Sequence, residues 1–159
     1  MAKFTRIIPV GQFSSPVEEE PFDIDLNILS AGITRQSAMI NNYEDYPAAL
    51  ISVRIKSNIA PEAKRTYNVY LIRDMGNVAD DNAGDDDGLL NLLNSPLLGT
   101  IIVTNTATKN FYGIFYTGVK DLGPLGHKWG IAIKNDTDQG LASSGHYAGY
   151  IYMVPGTDE

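Results

Sequence analysis

Thr66-Tyr67-Asn68-Val69-Tyr70-Leu71-Ile72-Arg73 decides how this chain of 159 residues is read. Its β-branched, aromatic and apolar side chains fit a strand buried on both faces or nearly so. An acidic, turn-rich segment follows, Asp80-Asp81-Asn82-Ala83-Gly84-Asp85-Asp86-Asp87-Gly88, and leads into Leu89-Leu90-Asn91-Leu92-Leu93. Those leucines fall at i, i+1, i+3 and i+4, the spacing of one apolar stripe on a short helical turn. Ser95-Pro96 stops that turn, and Thr100-Ile101-Ile102-Val103-Thr104 returns as a second strong strand.

Strand signals also extend outward on both sides of this centre. Phe22-Asp23-Ile24-Asp25-Leu26-Asn27-Ile28 alternates apolar and polar without a break, which predicts a half-buried strand. Ile33 to Ile40 reads as a weaker one. From Ala49 to Asn58 the alternation resumes, with Ile51, Val53 and Ile55 inward and Ser52, Arg54 and Lys56 outward. The connection through Ala60-Pro61-Glu62 is short and holds no crossover helix, so antiparallel pairing with the Tyr67 strand is expected. Asn110 to Thr117 is an aromatic strand interrupted by Gly113, a residue that marks a bulge or close approach of a neighbour. Trp129 to Lys134 and Tyr147 to Val154 follow, the latter setting Tyr147, Gly149, Ile151 and Met153 opposite Ala148, Tyr150, Tyr152 and Val154. About seven to nine short strands without βαβ alternation predict an all-β, single-domain antiparallel β-sandwich, jelly-roll-like. Residues 1–21, with Pro9, Pro16 and Pro21 each lacking an amide donor, read as an extended N-terminal arm. Residues 22–155 form the sandwich and 156–159 a polar tail.

Composition narrows the function classes. The 15 Gly and 8 Pro are scattered, as befits many short elements joined by turns. The absence of cysteine removes disulfides, thiolate metal sites and cysteine nucleophiles together. A formal charge of -7, with the basic residues dispersed, argues against a phosphate backbone as the main ligand. No apolar run approaches the ~18 residues of a spanning helix or forms a signal peptide, so no nucleic-acid or membrane partner is expected.

The chemical motifs are weak. No register of Asp80 to Asp87 gives the D-x-[DN]-x-[DN]-G spacing of an EF-hand, which leaves a looser cation site on Asp80, Asp81, Asp85 or Asp87 against a solvated loop. His127 and His146 are the two histidines, at no zinc-ligand spacing. Ser143-Ser144-Gly145-His146 lacks the G-x-S-x-G elbow of a serine hydrolase. No catalytic residue, metal ligand or cofactor is assigned. Trp129 with the tyrosines at 112, 116, 147, 150 and 152 fits either a sugar-stacking platform or core and contact surface, and the missing polar cluster favours the second.

Four segments together carry a resemblance: Tyr67-x-x-Tyr70-Leu71-Ile72, the Asp-rich loop with Leu89-Leu90, Ser95-Pro96-Leu97-Leu98-Gly99-Thr100-Ile101, and Lys128-Trp129-Gly130-Ile131-Ala132-Ile133-Lys134-Asn135. In that order they resemble small β-rich proteins encoded beside the head and tail genes of tailed bacteriophages. The resemblance implies a non-enzymatic virion structural protein, a capsid decoration or cement protein assembled in the host cytoplasm. Its partners would be the major capsid protein or other virion subunits and further copies of itself, as a trimer or dimer. Phe4, Ile7, Ile8, Val10 and Phe13 of the arm, with Tyr150 and Tyr152, are the expected partner contacts. A tail accessory or glycan-binding module is the alternative.

Overall fold

Side-chain alternation drives this chain into two layers, and the computed structural model shows which strands share each layer. It describes residues 7–9, 19–74, 95–104, 107–119 and 122–155. Ten strands run in order: β1 (Ile7–Pro9), β2 (Glu20–Pro21), β3 (Thr34–Gln36), β4 (Ile40–Asn41), β5 (Ala48–Lys56), β6 (Thr66–Asp74), β7 (Leu97–Ile102), β8 (Asn110–Tyr116), β9 (Lys128–Asp136) and β10 (Tyr147–Pro155). One sheet has the order β1-β10-β5-β8, with β2 pairing β10 beyond the end of β1. The other has the order β3-β9-β6-β7, with β4 pairing β9 beyond β3. Every pairing is antiparallel. No helix occurs among the described residues, so none there could cross a membrane. The acidic segment 80–87 and the leucine turn 89–93 lie outside them.

Inner faces supply the core. On β5 it is Ala49, Ile51, Val53 and Ile55 that are buried, and on β6 Tyr67, Val69 and Leu71. Trp129, fully buried, sits at the centre of an aromatic cluster, with Phe22 at 5.3 Å and 85° and Tyr150 at 5.1 Å and 81°. These are edge-to-face contacts, each worth about 0.5–1.5 kcal/mol beyond burial. The indole Nε1–H donates to the Tyr152 hydroxyl at 3.1 Å, so the one polar atom of the ring is bonded. At the other end of the sandwich Asn135 is buried. Its Nδ2 donates to the carbonyls of Leu29 and Gln139, and its Oδ1 accepts from the Thr137 hydroxyl at 2.7 Å.

Three strand readings are corrected. Phe22 to Ile28 forms no ladder: Phe22 N–H donates to Ala148 O and Asp23 O accepts from Ala38 N–H, after which Asn27-Ile28 turns the chain. Phe22 and Leu26 are buried as the alternation required, but Ile28 is 72% exposed at φ 52°. The region 33–40 contributes two short edge strands. β5 and β6, expected to pair, lie in different sheets, because residues 57–65 carry the chain from one layer to the other. Ser57 bridges Leu141 at the start of that crossing.

The sides of the sandwich differ. β1 with β2, and β3 with β4, are short segments laid along β10 and β9. On the opposite side β7 and β8 end their sheets among the described strands, and the Phe115 ring fills the gap between them. Gly99 and Gly113 leave it that room. A Cβ on Gly113 would stand 2.7 Å from the Phe115 ring and 2.8 Å from Ile101 Cγ1, and a Cβ on Gly99 would overlap the same ring.

Candidate functional site

Among the described residues the groups able to do chemistry do not converge. His127 is exposed with Nδ1 3.8 Å from Asp45 Oδ1, at the rim of a depression of about 200 Å³ also lined by Asn42, Tyr46, Pro124 and Gly126. The Asn42 amide there is spent on the backbone: Nδ2 donates to Tyr46 O and Gly126 O, and Oδ1 accepts from Tyr46 N–H. His146 accepts the Lys56 N–H at Nδ1, 3.3 Å, and its Nε2 lies 2.9 Å from Ala142 O. That pairing assigns the proton to Nε2 and leaves neither nitrogen free to act as a base for Ser144. Among the described residues no group of three or more His, Asp or Glu side chains is placed to hold a metal ion. The candidate cation residues Asp80, Asp81, Asp85 and Asp87 lie outside the described residues.

The aromatic platform is not on the surface. Trp129 is buried, Tyr150 is buried beside it, and Tyr152 is partly buried with its hydroxyl on the indole, so Trp129 offers no face to a sugar. Burial pushes the Tyr150 hydroxyl up to about 12, helped by Tyr152 and Glu20, and burial also raises Tyr152. Of the arm residues, Ile7 and Ile8 belong to β1, whose backbone pairs in its own chain with Val154 and Pro155. Phe4, Val10 and Phe13 lie outside the described residues.

Exposed large apolar side chains include Tyr43, Ile28 and Ile59 in loops and five residues on or just after β7 and β8. Tyr112 is 68% exposed, Ile114 73%, Ile102 58%, Leu97 51% and Val119 50%. Register places Tyr112 beside Arg54 and Tyr147, Ile114 beside Ser52 and Gly149, and Tyr116 beside Leu50 and Ile151 on the outer face of one sheet. Leu97 and Ile102 lie on the outer face of the other, opposite Tyr70 and Thr66. Of the four rows on the first face, Asn110 pairs with Lys56 and Tyr112 with Arg54, the Ser52 hydroxyl of the Ile114 row donates to the Glu19 carboxylate, and the Tyr116 row carries no charge. Each Å² of such apolar surface left in water costs about 25 cal/mol relative to burial.

Sequence reasoning expected partner contacts on the arm and at Tyr150 and Tyr152, and did not single out Tyr112 and Ile114. The signal was present in Asn110-Phe111-Tyr112-Gly113-Ile114-Phe115-Tyr116, which is apolar at odd and even positions alike. A strand apolar on both faces must lie mid-sheet under a cover or offer one face to a partner. Only the topology shows that this one ends its sheet. No known protein family matches this chain, and no curated protein matches it in sequence.

Proposed function

We propose that this protein is a non-enzymatic virion structural protein, a capsid decoration or cement protein that binds the outer shell and stabilises it through subunit contacts. The observation that carries the reading is the pair of exposed apolar side chains Tyr112 and Ile114 on the outer face of β8. Such a pair, with Tyr116 next along the strand, can bury against a coat subunit. Residues 1–21 would add contact area as an arm.

The strand order supports a jelly roll. With β1 and β2 counted as one strand, and β3 and β4 as the next, the eight strands run 1-8-3-6 in one sheet and 2-7-4-5 in the other. This order agrees with the wrapping of two Greek keys in double-sheet jelly rolls, an architecture used by viral capsid domains among others. It fits the proposed role without dictating it. A glycan-binding tail module would need a platform other than Trp129.

The test is particle loading by the full chain carrying Tyr112→Ser and Ile114→Ser. Both side chains are mostly in water, so the thermal midpoint should hold within the effect of about 0.5 kcal/mol per surface change. Occupancy on purified particles should fall at least about tenfold, the result of removing ~1.4 kcal/mol or more of contact energy. Unchanged occupancy would overturn the proposal.

A further inference from the structure

We infer that two copies of this chain pair through β8, its Asn110–Tyr116 strand lying antiparallel to the same strand of a second copy about a two-fold axis at Gly113. The inference rests on the reading of the β7/β8 side as a contact surface and is independent of the virion role.

The four sheet margins are unequal. β1, β2, β3 and β4 are two or three residues long, and Pro9 and Pro21 remove amide donors from two of them. β7 is six residues long and its ladder slips between Val69 and Tyr70 of β6. β8 is seven residues long, pairs with β5 in unbroken register, and carries no proline and no charge. Short strands, proline, bulges and charged side chains are the devices that keep a sheet edge from recruiting another strand. β8 has none of them, and among the described strands its second edge has no partner.

Hydrogen-bond phase and side-chain placement then select a second copy. Thr117 N–H donates to Ala49 O, and Ser57 N–H donates to Lys109 O. Bonding alternates along an antiparallel pair, so odd-numbered β8 residues face β5 and Asn110, Tyr112, Ile114 and Tyr116 direct their N–H and C=O groups to the open edge. A two-fold axis at Gly113 brings those groups opposite one another, with Tyr112 of each copy across from Ile114 of the other and all seven residues paired. Aromatic against β-branched is a favourable cross-strand match, and here it occurs twice.

Charge agrees. A chain of net charge -7 meets its own copy with least repulsion across a stretch that carries none. The nearest outer-face charges, Arg54, Lys56 and the Glu19 carboxylate that accepts from the Ser52 hydroxyl, sit one strand behind at β5. Their counterparts in the second copy would be three strand spacings away, about 14 Å, beyond the ~8 Å screening length. Size agrees as well. The edge is about 24 Å long and two layers deep, with layers ~10 Å apart. Flush contact of such edges is of the order of the ~800 Å² per partner that a stable interface uses.

The chain has no cysteine, which makes the register directly testable. The full chain carrying both Tyr112→Cys and Ile114→Cys should oxidise to a covalent dimer that reductant reverses. Mixing the two single variants should give cross-links several-fold above either alone. Wild type should sediment as a dimer at about 10 µM, above a micromolar Kd, and Ile114→Lys as a monomer. Unchanged circular dichroism and emission from Trp129, the sole tryptophan, would show that the variants remain folded. A wild-type monomer or trimer, or equal cross-linking in all samples, overturns the pairing. If wild type is monomeric while the serine variants still lose particle loading, the pairing fails and the contact surface stands. If the dimer forms while those variants load normally, the virion reading fails and the pairing stands.

Discussion

At the scale of single residues, the side of the sandwich that ends in β7 and β8 is closed by one ring and two absent side chains. Phe115 fits between the sheets because neither Gly99 nor Gly113 carries a Cβ. Gly113→Ala should therefore destabilise the fold by about 1–3 kcal/mol, the cost of forcing a methyl group into a filled site. Phe115→Leu should recover part of that loss in the double variant, giving a coupling energy above about 0.5 kcal/mol in a denaturant double-mutant cycle. Additive effects would show that the ring and the glycine do not share the space. Gly113 as a mark of close approach was legible in the sequence. That Phe115 of the same strand is what approaches, and that Gly99 of the other sheet completes the slot, was not legible, because the contact joins two layers whose partnership depends on topology.

At the scale of elements, period-two alternation divided β10 into its two faces, but the face of Ala148, Tyr150 and Tyr152, from which partner contacts were expected, is the one that points inward. The same rule named the buried side chains of Phe22 to Leu26 but could not tell that the segment forms no ladder. Alternation reports two environments, whereas a ladder needs a neighbour with free backbone groups. The β5 to β6 connection misled for a related reason, since a short link suits a hairpin and a crossing between layers equally well. Tyr150, Tyr152 and Tyr67, all raised chiefly by burial, give these elements a pH signature. In the unfolded chain these hydroxyls lose their protons near pH 10. The native state holds them longer, Tyr150 to about 12. Stability from this source is complete below pH 10 and declines as pH rises from about 10 through about 12, where the unfolded state binds fewer protons than the native. Thermal midpoints from pH 8 upward should be flat to about pH 10 and then fall, less steeply in Tyr150→Phe. A midpoint equally flat through about pH 12 in both proteins would refute the burial of these hydroxyls.

At the scale of the whole molecule, an all-β reading followed from turn spacing and composition, but the two-sheet partition and its unequal margins did not. The sequence reading assigned partner contacts to the arm and to Tyr150 and Tyr152, because aromatic and apolar residues outside a recognised core pattern look available. Packing resolves the tyrosines differently: Tyr150 is core, whereas Tyr112 and Ile114 of the aromatic strand are mostly exposed. The central claim is that this sandwich exists for the surface it offers to coat subunits. Mass spectrometry of purified particles combined with their reconstructed density tests it most directly. The account predicts the chain in many copies per particle, as density on the outer shell with the β7/β8 side turned toward a neighbouring subunit. Absence of the chain from particles, or density in which Tyr112 and Ile114 face only solvent, would contradict it.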